Sequence, residues 1–456
     1  MARVVRVCAV ALLILIFCGC VEEQANETTT STAAPTTTTH PPQTYVSHTT
    51  VKETTTTVQE TTTLKERPTT TTAAPHSSPE DAAAVAAANN RFAVDLYRKF
   101  AEKEGNMFFS PFSILTALTM TYEGAGGKTA QEMREVLHLP DDKAAMRSSF
   151  SAINRGINAD GKPYELATAN AIWPQKGFDF LPAYTQTLRD FYGSEATPLD
   201  YATNAEGSRV TINKWVEERT REKIKDLIPQ GVLNPMTRMV LTNAIYFKGD
   251  WARQFNKNLT SPMEFRTGSG KKVQADMMRD EGGEERRNYY ESDTLQMLEL
   301  PYKGDELSML VILPSSDDIG GIEGSLSAEN IDTWRKSMRP ERVDVYLPKF
   351  KLEKKYMMAE TLRGLGMAEA FTMAADFSGM DGRKDLFISQ VIHQSYVKVD
   401  EEGTEAAAAT AVVMELKSAM PVRPKVFRAD HPFIFIIQDK KSGNILFMGR
   451  VDDPSA

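Results

Sequence analysis

Between Thr28 and Thr72, 22 of 45 residues are threonine, and Tyr45 is the only aromatic side chain among them. A stretch so poor in large apolar groups cannot bury enough surface to offset the entropy of ordering it. The chain is therefore divided before anything folds. Residues 21–79 have the Thr/Pro-rich composition of an extended stalk, and a packed domain can occupy only 80–456. The sequon Asn26-Glu27-Thr28 lies in the stalk and Asn258-Leu259-Thr260 in the domain, each open to glycosylation if the host modifies exported proteins.

Residues 1–20 have a different character. Arg3 and Arg6 precede an apolar run, Val7 to Phe17, too short to cross about 30 Å of hydrocarbon and ordered like a secretory signal. Phe17-Cys18-Gly19-Cys20 resembles a prokaryotic lipobox, which makes Cys20 a lipidation candidate; a simple cleaved signal and a retained N-terminal anchor are the alternatives. All three cysteines, Cys8, Cys18 and Cys20, fall here. The domain can therefore use neither a disulfide nor a cysteine nucleophile nor a thiolate metal site.

In the domain the pattern is mixed. Ala82 to Lys103 places apolar residues at helical spacing behind Ser78-Pro79-Glu80-Asp81, a helix start. Thr211 to Ile228 and Lys355 to Leu365 also read as helical. Strand patterns cover Met239–Phe247, Leu307–Leu313, Val343–Leu347, Val391–Val399, Phe433–Ile437 and Ile445–Met448, and the last two flank a hairpin loop at 438–444. With no second linker across some 370 residues, the expectation is one α+β domain.

Enzyme chemistry finds little purchase. Gly124-Ala125-Gly126-Gly127-Lys128-Thr129 lacks the spacing of a phosphate-cradling loop. His138, His393 and His431 are scattered and show no zinc-site spacing. No Gly-x-Ser-x-Gly elbow occurs, and the carboxylate pairs Glu284-Glu285 and Glu401-Glu402 read as solvated charge. A net charge of -8 removes the attraction that a nucleic-acid binder uses.

One stretch resists ordinary reading. Asp400-Glu401-Glu402-Gly403-Thr404-Glu405 runs into Ala406-Ala407-Ala408-Ala409-Thr410, followed by Ala411 to Pro421. Composition alone favours an alanine-rich helix or loop. The other reading is a segment small enough to slip between strands, with Thr404, Ala406, Ala408 and Thr410 on one face.

This segment resembles the hinge and reactive loop of the serpin family of serine protease inhibitors. So do Asn106 to Ile114 with Ala117 to Met120, Asn243 to Trp251, Leu347-Pro348-Lys349-Phe350, Asp430-His431-Pro432-Phe433 and Phe447 to Arg450, in family order from about Ala82 to Pro454. The resemblance implies a serpin fold of about nine helices and three β-sheets with an exposed reactive loop at about 401–425. It implies an inhibitor, not an enzyme, without cofactor or metal, that traps a serine protease as a covalent acyl complex while the cut loop inserts into the central sheet.

The same resemblance assigns residues. The hinge is Glu401, Glu402, Gly403, Thr404, Glu405, Ala406, Ala407, Ala408, Ala409 and Thr410, with Gly403 giving the turn its backbone freedom. Counting seventeen positions from Glu401 puts the reactive bond at Lys417-Ser418, suited to trypsin-like proteases, with Leu416 and Met420 as neighbouring alternatives. Ser110, Ser113, Asn243 and His393 form a shutter beneath the sheet, and Trp251 marks the breach where insertion starts. The stalk and Cys20 lie outside the family pattern and imply an inhibitor that is extracellular, secreted or tethered to the outer face of the cell membrane; a monomer is expected. No single helix carries the basic cluster of heparin-activated relatives. A non-inhibitory carrier, chaperone or surface-structural protein is the competing reading.

Overall fold

A computed structural model describes residues 79–159, 161–281, 285–404 and 423–456. The stalk, Cys20, Asn26, hinge residues Glu405 to Thr410 and the candidate bonds at Leu416, Lys417, Ser418 and Met420 lie outside these residues.

The described residues hold ten α-helices and three sheets, an α+β arrangement. The helices are α1 Pro79–Ala101, α2 Pro111–Tyr122, α3 Gly127–Val136, α4 Lys143–Ile157, α5 Pro182–Thr187, α6 Tyr201–Arg219, α7 Gly320–Ser325, α8 Ala328–Ser337, α9 Ala359–Leu365 and α10 Ser378–Asp381. A seven-stranded sheet has the order β1 (Met107–Phe109), β16 (Ile445–Val451), β15 (Phe433–Asp439), β8 (Leu307–Pro314), β7 (Leu295–Pro301), β6 (Arg287–Glu291), β9 (Arg339–Glu341). A four-stranded sheet runs β14 (Lys425–Arg428), β10 (Val343–Pro348), β5 (Lys272–Asp280), β4 (Ser261–Arg266). The third, central to function, runs β11 (Phe350–Met357), β12 (Gln390–Val399), β13 (Gly403–Thr404), β3 (Met239–Asp250), β2 (Tyr164–Pro174).

Helix α2 explains how this third sheet is backed. Ser110 caps it by accepting from the Ser113 N–H, and Pro111 fills the first turn, where no amide donor is needed. Every residue of α2 is buried, as its apolar circumference requires, and Thr116, Thr119 and Thr121 return their hydroxyls to carbonyls four residues back. On the opposite face of the sheet α6 packs Tyr201, Ile212 and Val216 against a second apolar cluster containing Trp173, Ala244 and Tyr246.

Two sequence-based helices need correction. The expected Thr211–Ile228 helix ends at Arg219, after which Arg221, Glu222 and Asp226 take positive φ and stop it. The expected helix from Lys355 starts only at Ala359, because Lys355–Met357 finish β11, paired with Ile392–Gln394 of β12. The glycine run at 124–127 serves packing: a Cβ on Gly124 would lie 2.2 Å from Met380 Cγ, and Gly126 N–H donates to the Asp376 carbonyl.

Candidate functional site

The central sheet has a seam. Along its lower part β12 and β3 pair directly and in parallel, from Gln390 opposite Val240 to Tyr396 opposite Tyr246. At the top they part, and Gly403–Thr404 sits between them, antiparallel to both: Thr404 pairs with Val399 on one side and Gly249 on the other. The chain enters this slot through a tight turn in which the Asp400 N–H bonds the Gly403 carbonyl.

Each residue of that turn is fixed. A Cβ on Gly403 would lie 2.2 Å from the Gly249 carbonyl oxygen and 2.6 Å from Asp250 Cα. The glycine is thus needed for room between two backbones as well as for the turn freedom that the sequence suggested. Thr404 is 0% exposed, and its hydroxyl bonds Tyr302 Oη at 2.8 Å. Burial pushes the Tyr302 phenol far above its ordinary range, so it stays protonated.

Glu401 and Glu402 overturn the expectation of solvated charge, being 5% and 6% exposed. Lys349 lies 3.1 Å from the Glu401 carboxylate, the Thr260 hydroxyl donates to it at 2.8 Å, and Lys257 pairs with Glu402. Burial works to raise the Glu401 carboxyl, but backbone N–H, Thr260 and Lys349 donors more than offset it and hold it below the usual range. The main chain is held too, since the Trp251 N–H donates to the Glu402 carbonyl and the Phe255 N–H to that of Glu401. Trp251, 1% exposed, stacks on Tyr302 at 4.7 Å and donates its indole N–H to the Asp400 carbonyl at 3.0 Å.

Beneath the seam, Ser110, Ser113, Asn243 and His393 come together. The Ser110 N–H donates to His393 Nε2 at 3.1 Å, and His393 Nδ1 pairs with Asn243 Oδ1. Those roles require a neutral ring protonated on Nδ1. Burial lowers the His393 pKa to about 3, against the bond to Asn243 that favours the proton. Asn243 Nδ2 donates to Ser113 Oγ and to Asn170 Oδ1, both at 2.6 Å, and Ser113 Oγ donates to the same Asn170 oxygen at 3.0 Å. Because Asn243 is on β3 and His393 on β12, one hydrogen bond crosses the seam.

Asn170, Tyr302 and Lys257 were not singled out from sequence, and Thr260 was noted only as the end of a sequon. Lys349 stood inside a quoted motif, Leu347 to Phe350, and only the fold shows its partner. Asn170 sits in a strand, β2, with no apolar alternation strong enough to mark it.

A sheet with a parallel seam, a small-residue strand wedged into its top and a polar cluster beneath is what a family resemblance must be measured against. Residues 87–454 match the family model described as Serpin (serine protease inhibitor). An uncharacterized serpin-like protein of Thermococcus kodakarensis is 42% identical over 367 residues, covering 80% of this chain and 84% of its own. Leukocyte elastase inhibitor of Bos taurus is 43% identical over 375 residues, covering 80% of this chain and 98% of its own. The crystal structure of Serpin48, a highly specific serpin of the insect Tenebrio molitor, superposes with a TM-score of 0.74 at 33% identity, covering 83% of this chain and all of that one. With family model, relatives and fold in agreement across the domain that holds the seam, the chain belongs to the serpin family.

Proposed function

We propose that the protein inhibits trypsin-like serine proteases as a suicide substrate: a protease cuts Lys417-Ser418, is held as the acyl-enzyme, and is displaced as the loop inserts between β12 and β3. It is a stoichiometric inhibitor and not an enzyme. The observation that carries this reading is the Gly403–Thr404 wedge, which already splits the top of a seam that a longer strand could continue to part. The small residues Ala406 to Ala411 suit that path by their size and lack of charge. A carrier or chaperone role gives no reason for such a run.

Incubation with trypsin tests it. We expect an SDS-stable complex and a released fragment beginning at Ser418; quantitative cleavage with fully active trypsin recovered and no complex, across a panel of serine proteases, would sink the proposal. The same reading puts the inhibitor outside the cell, held by a lipid on Cys20 at the end of the stalk, so Cys20→Ser should release it from membranes. Unchanged membrane association of the processed variant rejects the anchor.

A further inference from the structure

The α6 face of the seam is held by a pair of rings. Tyr396 stands opposite Tyr246 on the uppermost rung at which β12 and β3 pair directly. Only Val397-Lys398 and Phe247-Lys248 separate that rung from the one where Thr404 lies between Val399 and Gly249. The tyrosines therefore mark the fork itself, the first direct pairing that a lengthening wedge must break. Side chains alternate along both strands, so with His393 and Asn243 turned toward α2, Tyr396 and Tyr246 point to the α6 side, where they join its apolar cluster.

Their centroids are 6.1 Å apart with the rings tilted by 51°, within the contact range of an aromatic pair. The pair is covered: Tyr246 is 2% and Tyr396 9% exposed, and Ile224, Leu227 and Ile228 of the connection between α6 and β3 pack in the same cluster. Each ring also carries a cation. Lys351 of β11 lies over Tyr396 at 5.3 Å, and Lys223 of that connection lies over Tyr246 at 5.7 Å. When the halves of the sheet separate, β11 moves with β12, to which it is paired from Phe350 to Met357. Lys351 therefore keeps its ring. The contact that insertion has to break is ring against ring.

We infer that Tyr246 and Tyr396 are positioning residues for the trapping step: their ring contact latches the seam at the fork and sets how fast a cut loop can pass. This rests on the trapping function proposed above. A strand added between β12 and β3 moves the rings about 4.8 Å further apart, to about 11 Å between centroids, outside the roughly 4.5–7 Å of an aromatic pair. The bond between Asn243 and His393 closes the α2 face three rungs lower, so the wedge reaches it only after the rings have parted.

Hydrogen exchange in the intact full chain reads the opening of the seam without any protease. Tyr396→Leu and Tyr246→Leu each keep apolar bulk but lose a ring, and in both the amides of β12 and β3 around the fork should exchange about threefold to tenfold faster. Amides of β8 and β15, in the seven-stranded sheet, should not change. Tyr396→Phe should keep the native rate, and Lys351→Gln should too, since that cation stays with its ring through opening. Unchanged exchange at the fork in either leucine variant overturns the latch, as does equal acceleration in β8 and β15, which marks a general loss of stability, or an equal effect of Lys351→Gln. Complex yield tests the coupling. In a Thr404→Arg background, where a buried charge slows insertion and hydrolysis wins, the yield of trypsin complex follows the insertion rate. Adding Tyr396→Leu should therefore raise that yield by the factor seen in exchange. Faster exchange with no rise in yield overturns the part played in trapping and leaves the latch standing. If the unmutated chain forms no complex with any serine protease, the trapping function and the tyrosines' part in it fail together, and exchange alone decides the latch.

Discussion

Thr404 concentrates the mechanism in one side chain. It is already inside the sheet before any cleavage, so Thr404→Arg acts twice. An arginine at a fully buried position, facing a protonated Tyr302 that offers no counter-charge, costs several kcal/mol and expels the wedge. It then slows insertion, and even 1.4 kcal/mol on that barrier is about tenfold in rate. The expected outcome is a lower melting temperature and conversion from inhibitor to substrate, read as cleaved chain and active protease on a denaturing gel; complex yield equal to the unmutated protein would falsify the insertion mechanism. His393 sets a second residue-level expectation. Its pKa is near 3 folded against about 6.5 unfolded, so the unfolded chain binds the extra proton between those values. The stability it contributes is therefore complete above about pH 6.5 and lost as pH falls toward 3, by at most about 1.4 kcal/mol per pH unit. Melting temperatures measured from pH 7.5 to 4.5 should fall on the acid side, and His393→Asn should flatten the slope.

At the scale of elements, legibility followed periodicity. Strands β8, β15 and β16, buried on both faces, stood out as apolar runs, whereas α2 was reached only through the family resemblance of Asn106 to Ile114, and its Ser110 cap emerged from the structure. The misread helices have different causes. Lys355–Met357 alternate as a strand whose outward face is charged, whereas Arg221 and Glu222 are helix formers that the fold drives into left-handed backbone. The hinge showed its small residues but not its partners, because Lys349, Lys257 and Tyr302 come from three separate strands or loops that only tertiary structure brings together. The seam cluster likewise depends on β2, through Asn170. Asn170→Ala removes the acceptor shared by Ser113 and Asn243 and leaves two donors unmet, at about 1–3 kcal/mol each. Asn170→Asp keeps the acceptor. Thermal unfolding should rank the native chain above Asn170→Asp, and Asn170→Ala lowest; an alanine variant as stable as the native chain shows that Asn170 holds nothing.

For the whole molecule, the proposed mechanism reverses the usual effect of a nick. A cut in a surface loop ordinarily leaves stability unchanged or lowers it, because the ends gain freedom. Here a cut between residues 405 and 422 frees β13 to lengthen downward from its two residues, replacing the direct β12–β3 pairing with two ladders on a new central strand. Some ten added strand residues at about 1 kcal/mol per net hydrogen bond amount to roughly 10 kcal/mol. In a domain of this size, where 1 kcal/mol moves the midpoint by about 1–2 °C, the cleaved chain should melt at least about 10 °C higher than the intact one. Calorimetry before and after limited digestion, with the new N-terminus identified by mass spectrometry, measures this directly. Cleaved Thr404→Arg should gain much less, since its first inserting side chain carries an unpaired charge into the slot. A cleaved native chain that melts at or below the intact temperature means that the wedge at the top of the seam is a fixed fifth strand, and the case for trapping by insertion falls with it.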